Sequence, residues 1–264
     1  MKEFAKFSAF LAFLSMAAAA WAQTALAPPQ VGFIQDGHGQ IHPVNGVAGN
    51  FLLGGPAATK VLSAAFSGSF GLLKSSSALL VTDSRGHAIA GVDAPPGLAL
   101  FAFSADGSPA LAYFPQTASF RVWDGHTFQA SGDSSALAKQ AVLSIAALNS
   151  AAATIIVQRP DGLFQLGVQL STGAVVSQMS LPGVSAPALL VANGALVYRD
   201  AQGVVVRRPN GAENHIAAHL PASVAFSQMG QAWLQVTDLG TGRLYAVSIQ
   251  PGSEHYYTLP EVRQ

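Results

Sequence analysis

Apolar residues along the chain fall in short runs, and turn residues separate one run from the next. The clearest stretch is 98–128, LALFAFSADGSPALAYFPQTASFRVWDGHTF, in which the pattern predicts strands at Leu98–Phe103, Ala110–Phe114 and Phe120–Trp123. Short apolar runs bounded by Gly, Pro and Asp are typical of strands, whereas a helix needs a longer run with a 3.6-residue period. The pattern therefore predicts an all-β protein.

Two short phrases recur along the sequence. Ala-Phe-Ser begins at Ala65, Ala102 and Ala225, and Leu-Pro begins at Leu181, Leu220 and Leu259. Both recur at steps of about 40 residues or a multiple of that step, and a period of this size indicates a repeat architecture.

The repeat divides the chain into units at 60–97, 98–140, 141–184, 185–221 and 222–260, with a partial unit at 23–59. Each full unit holds strand-like runs joined by turns such as Asn193-Gly194, which suit antiparallel hairpins. In the second unit, the final segment 134–140 is short enough to be a loop or one helical turn. Four-stranded sheets that are apolar on both faces must stack, and radial stacking makes a β-propeller. We predict a single domain over 23–264, with four-stranded antiparallel blades and six blades in all. A five-bladed ring with an N-terminal hairpin lying on it is the main alternative, and a sandwich or β-helix fits the repeats less well.

Two stretches resemble known propeller blades. Phe101–Gly107 followed by Phe120–Asp124 is similar to WD-repeat and related bacterial propellers, in which an inner strand ends in a phrase like FSPDG and a later strand in Trp-Asp. Asp238–Leu244 resembles the D-x-x-T-G-x-L turn of quinoprotein-like and YVTN-type blades. The Gly-His pair of full WD repeats and the Trp of quinone-binding blades are absent. The resemblance therefore implies the fold and not a function.

The N-terminus carries an export signal. Lys2 and Lys6 precede an apolar run, and Ala20-Trp21-Ala22 fits a small-x-small cleavage site, so residues 1–22 read as a signal peptide cleaved after Ala22. The alternative, a membrane anchor, would need a longer apolar span. We expect no membrane span in the mature chain and a periplasmic or secreted protein.

Charge and cysteine content exclude several classes of protein. The sequence has 13 basic and 13 acidic residues, which argues against a surface that tracks the phosphates of a nucleic acid. It has no cysteine, so stability must come from the apolar core rather than from disulfides.

Few residues suggest chemistry. The i,i+4 pairs His38/His42 and His215/His219 do not lie on predicted helices, and on a strand such residues are roughly 13 Å apart, too far to share one metal ion. Ser67-Gly68-Ser69-Phe70-Gly71 lacks the first glycine of a nucleophile elbow. Several acidic residues fall in Asp-Gly turns, where the carboxylate caps its own backbone.

The aromatic residues are the remaining candidates for binding. They could form a sugar- or peptide-binding platform, although packing between blades is the commoner role of such residues; they are Trp123, Trp233, Tyr245, Tyr256 and Tyr257.

The sequence assigns no catalytic, cofactor-binding or metal-ligating residue and leaves the ligand unknown. We expect a monomeric, non-catalytic binding or protein-interaction module with a protein or glycan partner in the cell envelope or outside the cell. The alternatives are a secreted propeller enzyme, a hydrolase or lyase with its site at the central channel, and a structural role in an envelope assembly.

Overall fold

A computed structural model describes residues 28–104, 108–192 and 194–262, and the regular secondary structure of these residues consists of β-strands. The predicted signal peptide at 1–22 and the Asp106-Gly107 turn lie outside the described residues.

The described residues form twenty-three strands in six antiparallel sheets, which we number as blades 1 to 6 in chain order. The strands of blades 1 to 3 are β1 (Gln30–Gln35), β2 (Ile41–Val47), β3 (Asn50–Leu53), β4 (Ser63–Phe66), β5 (Phe70–Lys74), β6 (Ala78–Asp83), β7 (Ala88–Asp93), β8 (Leu100–Phe103), β9 (Ala110–Phe114), β10 (Ser119–Trp123) and β11 (Phe128–Ala130). Those of blades 4 to 6 are β12 (Ala141–Ala147), β13 (Ala152–Arg159), β14 (Gly162–Gln169), β15 (Ala174–Ser180), β16 (Ala188–Leu190), β17 (Leu196–Arg199), β18 (Gly203–Arg207), β19 (Glu213–Ala217), β20 (Val224–Gly230), β21 (Trp233–Asp238), β22 (Leu244–Ser248) and β23 (His255–Thr258).

Blades 2 to 6 are four-stranded meanders in which each strand pairs with the next. Turns that the sequence encodes join the strands. Between β17 and β18, for example, the Asp200 carboxylate accepts hydrogen bonds from the N–H groups of Gln202 and Gly203, and Gly203 adopts a φ of 152°. An Asp that caps the turn and a Gly that tolerates positive φ are the features that allow so tight a connection.

The blades stand in a ring, and the core lies between neighbouring blades. Tyr113 and Phe120 of blade 3, for example, share one buried cluster with Ile145 and Ile155 of blade 4. The first strands of blades 2 to 6 are innermost, and β12 packs between β8 and β16. The protein is therefore a six-bladed β-propeller, as the repeat predicted.

Blade 1 differs from the other five because it has three strands in the described residues. Its first strand also runs in the opposite direction to its neighbours. Gly32, near the start of β1, lies against Met229 at the end of β20, whereas Gln35, at the end of β1, is hydrogen-bonded to the side chain of Gln235, a residue that pairs with Ser227 in the middle of β20. β1 is thus antiparallel to β20, as the second strand of a normal blade would be.

This arrangement creates what we call the seam, the junction of blades 6, 1 and 2. β4 and β20 lie beside each other at the centre of the ring, and β1 packs against both. Phe33 of β1 packs on Phe66 of blade 2, while the adjacent Ile34 faces Met229 of blade 6. Alternate side chains of one strand therefore bind blade 1 to both neighbours.

The structure also places the fourth strand of the second unit. This strand is β11 (Phe128–Ala130), which pairs with β10 directly after the Asp124-Gly125 turn. Residues 134–140 form turns, in which the N–H of Leu137 donates to the carbonyl of Ser134.

Candidate functional site

The strands at the centre of the ring carry few polar side chains. The five innermost strands, β4, β8, β12, β16 and β20, contain no ionisable side chain. Their few polar groups serve the fold. The buried Ser144 Oγ accepts a hydrogen bond from the N–H of Leu190 in the next blade, at 2.8 Å. The walls formed by these strands therefore offer no general acid or base.

A cavity of about 500 Å³ opens at one end of the seam, and we call it the seam cavity. It lies where β1 begins and where β4 and β20 end. The stacked rings of Phe33 and Phe66, 4.7 Å apart, form part of its wall. Other parts of the wall are formed by half-buried Phe70 and Trp233 and by the turn residues Arg85 and Gln231. Aromatic walls with a few polar groups at the rim are typical of ligand sites.

The two charged side chains of the seam cavity, Asp83 and Arg85, differ in whether they already have hydrogen-bond partners. The Asp83 carboxylate accepts hydrogen bonds from the N–H groups of His87 and Arg85, at 2.9 and 2.8 Å. The hydrogen bond from the His87 N–H, the largest cause, lowers the pKa of Asp83. The Arg85 guanidinium, in contrast, has no ion pair or side-chain hydrogen bond within residues 28–262 as described. Arg85 is thus the free charge of this cavity.

A second cavity of about 710 Å³ lies at the opposite end of the seam, between the β1–β2 turn, the β21–β22 turn and the C-terminal residues 259–262. Two of the acidic groups beside it, Asp36 and Asp238, are held by hydrogen bonds within the fold. Buried His42 contacts Asp36 Oδ2 through Nε2 at 3.2 Å and the Gly54 carbonyl through Nδ1 at 3.0 Å. Asp238 accepts a hydrogen bond from the Thr241 hydroxyl, which is the main cause of its lowered pKa.

A groove of about 610 Å³ separates blades 4 and 5. Its walls are largely apolar, with exposed Leu148 and Met179 at its margin. Arg207 lines it, but the guanidinium is bound to Glu213 and the Tyr198 hydroxyl. The hydrogen bond from Arg207 is the largest cause of the lowered pKa of Glu213. The charges of this groove are therefore already neutralised.

The structure does not bring the paired histidines together. His38 lies in the exposed β1–β2 turn while His42 is buried, and His215 contacts Asp200 at 3.1 Å while His219 is exposed. Among the described residues, no group of three or more His, Cys, Asp or Glu side chains could hold a metal ion. Ser67, in the Gly-Ser segment, closes its own turn through hydrogen bonds with Phe70.

The aromatic candidates pack blades together. Trp233 and Tyr257 form a cluster with Phe51 of blade 1, at centroid distances of 5.6 and 5.5 Å from Phe51. Tyr256 stacks on Tyr245 at 5.0 Å, and burial raises the pKa of Tyr256. The adjacent Tyr256 and Tyr257 face different inter-blade cores, as alternation on a strand requires.

The same holds for Trp123, which is buried in a cluster with Leu72 and Val81 of blade 2. Trp233 is the one predicted aromatic that also lines the seam cavity.

The sequence did not point to Arg85, Gln231 or the Gln35–Gln235 contact. Arg85 reads as an ordinary turn residue, and Gln35 and Gln235 are 200 positions apart. The one available signal was the partial first unit at 23–59, which left a five-bladed ring open as an alternative.

Comparisons with known proteins support the fold. The chain matches no protein-family model and no curated protein. Among solved structures, it is similar to a chain of the nidogen/laminin complex, with 14% identity, a TM-score of 0.57, and coverage of 87% of this chain and 93% of that chain. It also matches Kuenenia stuttgartiensis hydrazine synthase (13% identity, TM-score 0.48, 86% and 79% coverage) and the Pan2 WD40 domain of Neurospora crassa (10%, 0.46, 89% and 80%). In the described part of the chain, no helix is long and apolar enough to cross a membrane. The likeness to the nidogen/laminin chain, at this identity, identifies the chain as a β-propeller by fold.

Proposed function

We propose that the chain is an exported, non-catalytic binding module that acts in the periplasm or outside the cell and captures a protein or glycan partner at the seam cavity. The observation that carries the proposal is the cavity itself: aromatic walls, a free guanidinium at Arg85 and an amide at Gln231, on a rigid ring. Binding groups held on loops of a fixed scaffold are the usual way in which such folds recognise partners.

The chemistry of the cavity favours recognition over turnover. Arg85 is a donor for a carboxylate, a carbonyl or a sugar hydroxyl, and the half-buried rings of Phe70 and Trp233 supply apolar contact area. Asp83, the other charged group, is committed to its own turn. An enzyme at the central channel would need converging titratable groups, and the innermost strands have none.

The fold offers a precedent for a protein partner. The similar propeller chain belongs to a complex of nidogen with laminin, in which proteins bind each other. Export rests on the N-terminal pattern, in which Lys2 and Lys6 precede an apolar run and Ala20-Trp21-Ala22 fits a cleavage site.

Two measurements test the proposal. For export, the full chain is expressed in a bacterial host. The intact mass of the protein recovered outside the cytoplasm is expected to match a chain that begins at Gln23. A cytoplasmic protein that still carries residues 1–22 would contradict export.

For binding, the wild type, Arg85→Ala and the control Arg243→Ala are immobilised, and envelope and secreted fractions are passed over each. Arg243 is an exposed arginine at the opposite end of the seam. We expect one protein or glycan to be retained in stoichiometric amount by the wild type and the control, and about tenfold less by Arg85→Ala, the loss of one charged hydrogen bond. Retention that Arg85→Ala leaves unchanged would place the site elsewhere.

A further inference from the structure

The outer strand of blade 4, β15, lacks the features that protect the other outer strands. All seven residues from Ala174 to Ser180 are exposed, with Val176 at 67% and Met179 at 55%. The strand, AVVSQMS, contains no charged residue and no proline. An exposed, uncharged, apolar edge strand is a template for pairing with another chain.

The other outer strands are protected in various ways. β3, β11 and β23 have four residues or fewer, and Tyr257 of β23 packs on blade 1. β7 ends in Asp93, and β19 carries Glu213 and His215. Short length and charge both prevent strands from pairing edge to edge. β15 is longer than any other outer strand in the described residues and has neither protection.

The backbone of β15 can accept a partner strand. The N–H of Leu181 donates to the carbonyl of Leu163 at 2.9 Å, so alternate residues Met179 and Ser177 turn their backbone groups toward β14. Gln178 and Ser180 therefore turn their N–H and C=O groups outward. The pairing with β14 slips between Ser177 and Val175, so the regular part of the edge is its second half.

We propose that a second copy of this chain pairs antiparallel with β15 across a two-fold axis near Ser177, in place of the monomer expected from the sequence. A two-fold axis near Ser177 sets Ser177 opposite its own copy and pairs Val176 with Gln178, so a charged side chain at these positions would lie close to its own copy and be repelled, and β15 has none. The pairing sets Val175 and Val176 of one copy beside the segment that contains Gln178 and Met179 of the other. It covers apolar side chains that are otherwise in water.

The self-association of the full mature chain tests the proposal. Sedimentation equilibrium from low to high micromolar concentration is expected to give twice the chain mass for the wild type. Val176→Lys is expected to weaken the dimer at least about tenfold, because like charges meet across the axis. The matched control is Ile89→Lys, an equally exposed apolar residue (61%) on β7, the outer strand of blade 2, which should stay dimeric.

A wild type that stays monomeric throughout, or a dimer that survives Val176→Lys, overturns the proposal.

Cross-linking makes the test independent of any folding defect in the lysine variants. Because the sequence has no cysteine, Ser177→Cys introduces a single thiol at the proposed axis, where paired Cβ atoms are about 5 Å apart and can form a disulfide. Gln178→Cys does the same for an axis displaced by one residue.

We expect a disulfide-linked dimer from at least one of these two variants on mild oxidation. Ile89→Cys is expected to give none. Equal cross-linking of all three variants would indicate random collision and would contradict the proposed pairing.

Discussion

The interface between blades 3 and 4 and the seam both bury apolar side chains, but they differ in where backbone meets backbone. Between blades 3 and 4, side chains such as Tyr113, Phe120 and Ile155 are fully buried, and backbone hydrogen bonding lies outside the strands, where the Gly132 N–H donates to the Leu170 carbonyl at 2.9 Å. At the seam, the backbone of β1 meets the backbone of β20 at Gly32, and the Gln235 amide holds the backbone of Gln35. Within residues 28–262 as described, no sheet combines strands from both ends of the chain.

The difference shows how this ring closes. Side-chain packing tolerates small changes of shape because neighbouring groups can adjust. Backbone contact and hydrogen bonds fix distance and direction. At the seam these fixed contacts lie within the strands β1 and β20 themselves, so we expect them to constrain the geometry of the closed ring. We therefore expect substitutions at the seam to lower the free energy of unfolding more than the small change in side-chain volume suggests.

The largest effect is expected from Gly32→Ala. A Cβ at this position would overlap the carbonyl oxygen of Met229, a backbone atom that cannot rotate away. We expect a loss of about 3 kcal/mol in the free energy of unfolding, measured by urea denaturation. Gly37→Ala in the β1–β2 turn is the control, since nothing lies within 4 Å of a Cβ there. Equal stability of the two variants would mean that the seam is not tightly packed.

Gln235→Leu should have the next largest effect. The substitution leaves the N–H and C=O of Gln35 without their partners, now at 2.9 and 2.7 Å. Because Gln235 is buried, we expect a loss of about 2 kcal/mol by the same measurement. Gln129→Leu, on the exposed part of β11, serves as the control and should change stability little. A loss no greater than in the control would show that this contact does not close the ring.

Tyr113→Phe should stabilise the interface between blades 3 and 4. The Tyr113 hydroxyl is buried and has no hydrogen-bond partner in the described residues, and burial raises the pKa of this phenol. Removing the oxygen removes an unpaired polar group from an apolar cluster. We expect a gain of about 1 kcal/mol in thermal or urea unfolding. A loss of stability instead would reveal an unseen partner of the hydroxyl.

Lys74 in blade 2, which borders the seam, should give a small dependence of stability on pH. The side chain is fully buried, and desolvation lowers the pKa of its amine below 10.5. Between the folded pKa and 10.5, unfolding takes up a proton, so the free energy of unfolding should rise with pH in that window.

Lys74→Met should remove this slope, and Lys139→Met, at an exposed position, should keep it. Urea unfolding between about pH 7 and pH 10 measures both variants. The upper limit avoids the titration of Tyr113, Tyr198 and Tyr256, whose raised pKa in the folded state destabilises the fold above the unfolded pKa near 10. The same slope in both variants would rule out Lys74 as its source.

Local pattern was enough to predict the propeller. Alternating apolar runs and Asx-Gly turns are short-range signals, so the predicted runs Ala110–Phe114 and Phe120–Trp123 fall on β9 and β10. β11 was missed because its three residues, Phe128–Ala130, are too few to show a period.

The seam could not be predicted, because its contacts are distant in sequence and depend on direction. Nothing in the run Val31–Gln35 distinguishes a first strand from a second one, and the orientation follows only from packing against β20 and β4. The same is true of Arg85, which has the sequence context of a turn but lines a cavity formed by three blades.

The contact between Gln35 and Gln235 also has a consequence for how the chain is made. Blades 2 to 5 can each pack on the blade synthesised just before them, whereas Ile34 and Val44 of blade 1 find Met229 and Ala246 only when blade 6 exists. One apolar face of blade 1 therefore stays uncovered until almost the whole polypeptide has been synthesised. Closure of the ring is then a late, long-range step, and a chain truncated before β20 would keep that face exposed to proteases and chaperones.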